Sequence, residues 1–389
     1  MNFNLTPDQV AFADSVDRLA RTELAPNALT RAHSNAYPWE VAKLMADSGL
    51  LGITMNEEEG GQGGTLMDAV IAIQTVALHC PKSADVVQAG NFGPIRTFAQ
   101  YASPRLKEKY LHDLLAGRTL IGLGMSEPGA GSAVTELATT ATKVEGGYCI
   151  NGIKVFSTHS PAATAFLVYV RFGQGDAAKG LQAIGSVVVD RDAAGLTVGK
   201  PSSFMSGEEW SELHFDNCFV PDENLLLGEG GFKKQISGFN VERLGNSSRA
   251  LALGRFAFNR AKTYALERKQ FGKCIADFQG IQWKFAEMAV KLDAAQLLLY
   301  RAASNADQSS DGLPSAYETA IAKFMCNTAG FEVANEALQV MGASGYSQLE
   351  LVEYCVRRTR GWMIAGGSLE VLKNRIAEDV LETKFDQRK

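Results

Sequence analysis

Residues 339–370 read QVMGASGYSQLELVEYCVRRTRGWMIAGGSLE, and the organisation of the chain is clearest around this stretch. Apolar residues recur at helical spacing on both sides of it, over 315–341 and 367–382. The same period covers 232–266 and 278–307, and several of these segments are longer than a typical globular helix. Long helices of this kind pack side by side, so the C-terminal part is predicted to form a helical bundle.

Upstream of the bundle, the hydrophobic pattern alternates as it does in β-strands. Five segments rich in β-branched and aromatic residues are separated by glycine, aspartate and proline turns: 119–124, 147–151, 165–172, 183–190 and 212–216. They predict a small antiparallel barrel or sandwich. Helical patterns precede them at 6–20, 38–48, 66–79 and 104–115. The predicted fold class is therefore α+β, with an N-terminal helical domain at 1–118, a middle β domain at 119–228 and a C-terminal helical bundle at 229–389.

Composition excludes several classes of protein. The 389 residues carry 38 Lys and Arg against 43 Asp and Glu, a net charge of -5, without a long basic segment, so we expect no nucleic-acid partner. Six cysteines lie far apart without metal-binding spacing, which indicates reduced thiols in a cytoplasmic protein and no metal site. The N-terminal residues lack an export-signal pattern, and no apolar run is long enough to span a membrane.

The stretch at 339–370 resembles the C-terminal signature of the flavin-dependent acyl-CoA dehydrogenase family. In that signature a Gln-x-x-Gly-Gly-x-Gly-Tyr motif is followed, 27 residues after the Gln, by a catalytic Glu in a Tyr-Glu-Gly-Thr turn; counting from Gln339 reaches Gly366. The family's Glu removes the α-proton of an acyl thioester, and its backbone N–H polarises the thioester carbonyl. Gly366 keeps the N–H and lacks the carboxylate.

A carboxylate is available instead at Glu242. Within the family, the isovaleryl and long-chain enzymes place the catalytic Glu on a helix of the C-terminal domain just before an Arg, and 239–243 (FNVER) matches that pattern. The resemblance therefore implies that Glu242 is the base and that Asn240 and Arg243 lie beside the substrate. Taken alone, a Glu-Arg pair on a helix is usually solvated. The missing carboxylate at Gly366 is what favours a catalytic role.

Three further motifs match flavin-binding segments of the family. Small residues in 125–132 (MSEPGAGS) let backbone N–H groups approach a cofactor. In 154–159 (KVFSTH) an aromatic ring can lie against the isoalloxazine and a hydroxyl can bond flavin N5. In 268–279 (RKQFGKCIADFQ) a guanidinium suits a pyrophosphate. The resemblance implies a substrate contact from Ser132 and FAD contacts from Met125, Ser126, Ser132, Phe156, Ser157, Thr158, Arg268, Gln270, Phe271, Gln279, Gln339, Gly342, Ser368 and Glu370.

The resemblance covers residues 3–382 and implies FAD-dependent α,β-dehydrogenation of an acyl-CoA thioester, with hydride passing from the β-carbon to flavin N5. It implies a place in fatty acid or branched acid metabolism and an electron-transfer flavoprotein or similar acceptor. Arg268, Gln270 and Gln279 are expected to bind FAD across a dimer interface, so we expect a homo-oligomer, a dimer of dimers (homotetramer). Ala365 replaces a bulky aromatic of the family, which leaves room for a branched, cyclic or bulky acyl group.

Other activities stay open at this point. Residues 353–358 and 204–210 depart from the family pattern, which leaves the thioester carrier and the electron partner open. An enoyl-CoA reductase of the crotonobetainyl-CoA type, a desulfinase-like relative, and an oxidase of an aminoacyl group on a peptidyl carrier protein are alternatives. Glu242 weakens the desulfinase alternative, because C–S cleavage does not need that base. A flavin-binding protein without catalysis is supported by Gly366 and opposed by Glu242.

Overall fold

The computed structural model describes residues 4–173, 180–310 and 312–385. The outermost residues of the predicted first and third domains lie outside these ranges, as do 174–179 of the predicted middle domain and 311 of the third. The chain divides into two compact units, each assembled from separate stretches. The first unit comprises 1–34, 64–88 and 240–389, and the second unit comprises 35–63 and 89–239.

The helices before the sheet are, in chain order, α1 (Pro7–Leu19), α2 (Ala28–Ala32), α3 (Trp39–Asp47), α4 (Leu66–Ala77), α5 (Ser83–Ala89), α6 (Pro94–Tyr101) and α7 (Pro104–Leu115). The predicted helix start at Thr6 is confirmed, because its hydroxyl accepts from the backbone N–H of Gln9 while the Gln9 side chain accepts from the N–H of Thr6. Helix α5 was not predicted: nearly all of its residues are buried, so it shows no amphipathic period.

The strands are β1 (Ile121–Gly124), β2 (Thr140–Val144), β3 (Gly147–Thr158), β4 (Ala165–Phe172), β5 (Ile184–Asp190), β6 (Leu196–Val198), β7 (Ser202–Ser203), β8 (Glu209–Pro221) and β9 (Leu225–Leu227). They form one sheet in the order β6-β8-β3-β2-β4-β5-β9, with β1 beside β4 and β7 beside β8. Pairing is antiparallel except that β4 pairs in parallel with β1 and with β2. The five predicted strands are confirmed, and β3 and β8 extend well beyond the predicted bounds.

The sheet carries a hydrophobic core on each face within the second unit. Side chains of β4 and β5 alternate between the two cores, and both strands are almost entirely buried. On one face they pack with apolar residues of α6 and α7, such as Phe98 and Leu106. The register between β3 and β8 shifts between Lys154 and Ser157, which places Phe156 in a left-handed backbone conformation with φ of 57°.

The helices after the sheet are α8 (Phe232–Glu267), α9 (Gln279–Asp307), α10 (Ala316–Met341), α11 (Ala343–Tyr346), α12 (Val352–Trp362) and α13 (Leu369–Val380), and a hairpin of β10 (Lys269–Gln270) and β11 (Lys273–Cys274) precedes α9. Helix α10 packs against α9, α12 and α13, which confirms the predicted bundle. Helix α12 was not predicted, because its buried faces include the charged residues Glu353 and Arg358. None of the described helices is both long and apolar enough to cross a membrane.

Helices α8 and α10 approach each other through glycines. A Cβ on Gly330 would lie 2.2 Å from the carbonyl oxygen of Ala250, and a Cβ on Gly254 would lie 2.9 Å from the Cα of Gly330. Backbone therefore packs directly on backbone where the two helices meet. The six cysteines are free thiols, as expected from their spacing.

We expect Gly330→Ala to lower the free energy of unfolding by about 1–3 kcal/mol, because the added methyl group forces the two helices apart. Gly280→Ala is the matched control, since a Cβ at that helical glycine meets nothing within 4 Å. The control should be neutral or stabilise by up to about 1 kcal/mol. Thermal unfolding of the two purified variants measures the difference, and equal midpoints would contradict the direct packing of the two helices.

Candidate active site

The side chain of Glu242 turns into the interior of the first unit. Its Oε1 accepts a hydrogen bond of 2.6 Å from Nε2 of Gln88, and its Oε2 has no hydrogen-bond partner among the described residues. Burial raises the pKa of Glu242 to about 7, and Arg249, Gln88 and Lys323 limit that rise. A carboxyl group with a pKa near 7 is suited to accepting a proton at neutral pH.

Gly366 lies in the turn between α12 and α13. Its φ of 71° and the φ of 93° at Gly367 are left-handed conformations that favour glycine. A Cβ on Gly366 would lie 2.7 Å from Nδ2 of Asn246 and 3.5 Å from Cε of Lys323. Asn246 lies one turn after Glu242 on α8. Both Asn246 and Lys323 lower the pKa of the Glu242 carboxyl. The structure therefore brings Glu242 and Gly366 into one cluster, and Asn246 fills the space that a side chain at 366 would take.

The two predicted substrate neighbours on α8 contact each other. Nη1 of Arg243 donates to Oδ1 of Asn240 at 2.9 Å, and Nε of Arg243 donates to the carbonyl oxygen of Gly366 at 3.1 Å. Arg243 therefore joins the helix that carries Glu242 to the turn that carries Gly366.

Two buried arginines flank this cluster. Arg249 and Arg358 each form an ion pair of 2.7 Å with Asp85, one on each carboxylate oxygen. Both guanidinium groups also lie over the ring of Trp362, 3.7 Å and 4.1 Å from its centroid. Asp85 lies three residues before Gln88 on α5, so one short helix supplies both the counter-ion of the arginines and the hydrogen bond to Glu242.

Sequence reasoning missed the residues around Glu242. Lys323 carried a signal, because it is the single charged residue in the apolar helical segment AIAKFMC, whereas the other residues of this set lie among further polar residues, as in SADVVQ and GNSSRA. The missed residues are Asp85, Gln88, Asn246, Arg249, Lys323 and Arg358.

In the second unit, two of the quoted motifs are joined by a buried ion pair. Nζ of Lys154 lies 2.6 Å from Oε1 of Glu127, and the Glu127 carboxylate also accepts from the backbone N–H groups of Ala138 and Thr139. The backbone N–H of Val155 donates to the carbonyl oxygen of Ser126 at 2.8 Å. These bonds fix the 125–132 loop against strand β3.

The same part of the second unit presents an aromatic face. Phe156 is 57% exposed, and its ring centroid lies 4.7 Å from that of Trp210. Exposed rings of this kind fit one side of the flat isoalloxazine of a flavin. Thr158 is partly exposed, whereas the Ser157 side chain is fully buried, so a cofactor contact at 157 would come from its backbone. The other residues predicted to bind FAD in this unit also retain exposed surface: Met125, Ser126 and Ser132.

The remaining predicted FAD contacts lie in the first unit. Most are exposed: Arg268, Gln270, Phe271, Gln279, Gln339, Gly342 and Glu370. Phe271, at the tip of the β10–β11 hairpin, is 93% exposed and has a φ of 52°. The hydroxyl oxygen of Ser368 accepts from the N–H of Val371 and caps α13. Glu370 is exposed in the first turn of that helix, unlike the buried carboxyl of Glu242.

Comparison with known proteins assigns the family. Models of the N-terminal, middle and C-terminal domains of acyl-CoA dehydrogenase match residues 6–118, 122–218 and 229–381. The chain belongs to the acyl-CoA dehydrogenase family, which confirms the resemblance and the predicted fold class.

Three similar proteins illustrate the range of the family. The chain is 34% identical to a benzylmalonyl-CoA dehydrogenase of Aromatoleum aromaticum, covering 98% of this chain and 100% of that protein. It is 31% identical to a 3-sulfinopropanoyl-CoA desulfinase of Paraburkholderia xenovorans, covering 100% and 99%. The solved structure of butyryl-CoA dehydrogenase from Megasphaera elsdenii is 30% identical with a TM-score of 0.89, covering 98% and 100%.

The chain is therefore an FAD-dependent oxidoreductase that dehydrogenates acyl-CoA thioesters. The predicted cofactor, enzyme class and reaction are confirmed at this level.

If Glu242 is the base, the rate of flavin reduction by acyl-CoA should rise with pH through about 7, because a carboxyl accepts a proton only when it is deprotonated. The hydrogen bond from Gln88 lowers the pKa of Glu242, so Gln88→Met should move the midpoint to higher pH. Stopped-flow absorbance at acyl-CoA concentrations well below saturation measures both profiles, because the rate then reports the pKa of the enzyme without bound substrate. A flat profile, or the same midpoint in both proteins, would contradict the assignment of the titrating group.

Glu127→Gln should destabilise the protein by about 3–5 kcal/mol, because it leaves the buried Lys154 without its partner. The double variant Glu127→Gln with Lys154→Met should recover part of that loss, since no charge is then buried. Asp47→Asn is the control, because it breaks an exposed pair with Lys43 whose contribution is expected to be about 0–1 kcal/mol. Thermal unfolding of the FAD-loaded proteins compares them. A loss at Glu127 no larger than that at Asp47 would show that the buried pair is not a structural support.

Proposed function

We propose that Glu242 removes the α-proton of a bound acyl-CoA thioester and that Gly366 donates its backbone N–H to the thioester carbonyl. The observation that carries this proposal is the buried carboxyl of Glu242, whose Oε2 has no partner among the described residues. Glu242 also shares its neighbours Asn246 and Lys323 with the Gly366 turn. A base and a hydrogen-bond donor for the developing enolate are thus supplied by one cluster.

Each neighbour of Glu242 has a defined part in the proposed step. The hydrogen bond from Gln88 holds Oε1, which leaves Oε2 to accept the proton. Arg249 and Lys323 favour the deprotonated form before the proton arrives and limit the rise in the pKa of Glu242. The Gly366 N–H stabilises negative charge on the thioester oxygen as the α-proton leaves. Bound FAD supplies the acceptor for the hydride that leaves the β-carbon.

The acyl group is proposed to be branched, cyclic or otherwise bulky. Ala365, next to Gly366, is small and exposed, so the acyl side of the turn carries little bulk. The benzylmalonyl-CoA dehydrogenase that resembles this chain is named for an acyl group that contains a ring. The desulfinase relative supports a second candidate, desulfination, in which the C–S bond breaks, the sulfur leaves as SO2 that water takes up as sulfite, and the carbon takes a proton. A panel of thioesters distinguishes the two candidates.

We propose a homo-oligomer, a dimer of dimers, in which Arg268, Gln270 and Gln279 reach the FAD of a second copy. The hairpin before α9 supports this arrangement, because its tip is almost fully exposed. Helix α9 also exposes Trp283, Val290 and Leu297, which are spaced by seven residues and therefore share one face. An apolar row of this length on one helix is typical of a surface that another chain covers.

The remaining expectations from the sequence are proposed on the resemblance to the family. They are the three-domain division at 1–118, 119–228 and 229–389, the individual FAD contacts, and electron transfer to an electron-transfer flavoprotein or similar acceptor. Ser132 is proposed to contact the substrate, and Asn240 and Arg243 to lie beside it. A cytoplasmic location is proposed on the free cysteines, which suit a reducing compartment.

Glu242→Gln should retain FAD and lose flavin reduction by acyl-CoA by about 100-fold or more, since it removes the general base. Glu145→Gln is the matched control, because that carboxylate is exposed in the turn between β2 and β3 and belongs to neither the proposed catalytic cluster nor the proposed FAD contacts. Anaerobic bleaching of the flavin is measured with straight-chain, branched, cyclic and aromatic acyl-CoA, and sulfite release is measured with 3-sulfinopropanoyl-CoA. Normal bleaching of Glu242→Gln would refute the proposal, as would an equal loss in Glu145→Gln, because the loss would then not be specific to Glu242.

A further inference from the structure

Lys323 is a buried lysine whose hydrogen bonds converge on the Gly366 turn. The residue lies on α10 and has no exposed surface. Its Nζ donates to the carbonyl oxygens of Trp362 at 3.2 Å, Ala365 at 2.9 Å and Gly367 at 2.9 Å. Three carbonyl oxygens of this one turn therefore lie within hydrogen-bond distance of Nζ.

Neighbouring side chains hold the same stretch of backbone. Asn327, one turn after Lys323 on α10, donates to the carbonyl oxygen of Trp362 at 2.5 Å. Arg243 donates to the carbonyl oxygen of Gly366. The carbonyl oxygens of residues 362, 365, 366 and 367 therefore all accept hydrogen bonds from side chains of α8 or α10. These bonds fix the orientation of the turn.

Because the peptide bond is planar, fixing the Ala365 carbonyl also fixes the direction of the Gly366 N–H. In a trans peptide the C=O of one residue and the N–H of the next point in opposite directions. Because the Ala365 carbonyl points to Lys323, the N–H of Gly366 points away from it. That N–H donates no hydrogen bond within the described part of the chain, and Gly366 is partly exposed.

We propose that Lys323 is a positioning residue that aims the Gly366 N–H at the thioester carbonyl by holding the Ala365 and Gly367 carbonyls behind the turn. The inference rests on the proposed function, because it explains how the backbone N–H that the reaction needs is held in its orientation. A glycine turn with left-handed φ values is otherwise among the least restrained backbone conformations. Lys323 supplies the restraint that a side chain at 366 cannot.

The probe is acetyl-CoA labelled with carbon-13 at the thioester carbon. It has no β-carbon, so it binds without hydride transfer and stays intact during the measurement. Isotope-edited infrared spectroscopy of the FAD-loaded enzyme reads the carbonyl stretch, which falls when an N–H donates to the oxygen. We expect a lowered stretch in the wild type and a stretch close to that of free acetyl-CoA in Lys323→Met.

Steady-state kinetics of Lys323→Met give a second measurement. The substrate is the acyl-CoA that reduces the wild-type flavin fastest among the thioesters tested with Glu242→Gln. Loss of one carbonyl donor should lower kcat by about 100-fold or more and change KM much less. Thr319→Val is the matched control, because Thr319 is buried on the same helix and its hydroxyl donates to the carbonyl oxygen of Ser315, the residue that caps that helix. The control should leave both the stretch and kcat unchanged.

The outcomes separate this inference from the proposed function. A carbonyl stretch that is not lowered in the wild type, or that is equally lowered in Lys323→Met, overturns the role of Lys323 even if Glu242→Gln has lost flavin reduction. Should Lys323→Met fail to hold FAD, Lys323→Gln is measured instead, and an unchanged stretch there overturns the role as well. Normal flavin reduction by Glu242→Gln defeats the proposed function whatever the carbonyl stretch shows.

Discussion

The arrangement of the first unit around α8 depends on burying the carboxyl group of Glu242 away from water. One of its oxygens accepts a hydrogen bond, and the other has no hydrogen-bond partner among the described residues. A buried carboxylate is costly unless it is paired, and its pKa rises when pairing is incomplete. Here Gln88 satisfies one oxygen, and Arg249 and Lys323 lie near enough to lower the pKa from the value that burial alone would give. The balance leaves a carboxyl that can take and release a proton near pH 7.

This constraint accounts for the unusual density of buried charge around α5, α8 and α10. Asp85 compensates two arginines that would otherwise be buried without a counter-ion, and those arginines fix Trp362 at the end of α12. From that fixed end the chain enters the Gly366 turn, whose carbonyls bond to Lys323 and to side chains of the same helices. The proposed base and the proposed backbone donor therefore come from different elements held by one network.

The sequence was most informative where a pattern was local. Long helices, the central strands and the Thr6 cap follow from periodicity and turn chemistry, and the spacing from Gln339 located Gly366. The network around Glu242 could not be read in that way, because Gln88 and Lys323 reach it from helices more than eighty residues away on either side. Helix α5 was missed for a related reason: burial on all sides removes the period that marks a surface helix.

Exchange of the α-protons of acetyl-CoA with solvent deuterium tests the role of Glu242 most directly, because it reports proton removal without hydride transfer. Proton NMR follows the loss of the acetyl methyl signal in D2O with FAD-loaded enzyme. We expect exchange by the wild type and by the control variant Glu145→Gln, and none above the enzyme-free rate by Glu242→Gln. Exchange by Glu242→Gln at the wild-type rate would contradict the assignment of Glu242 as the base.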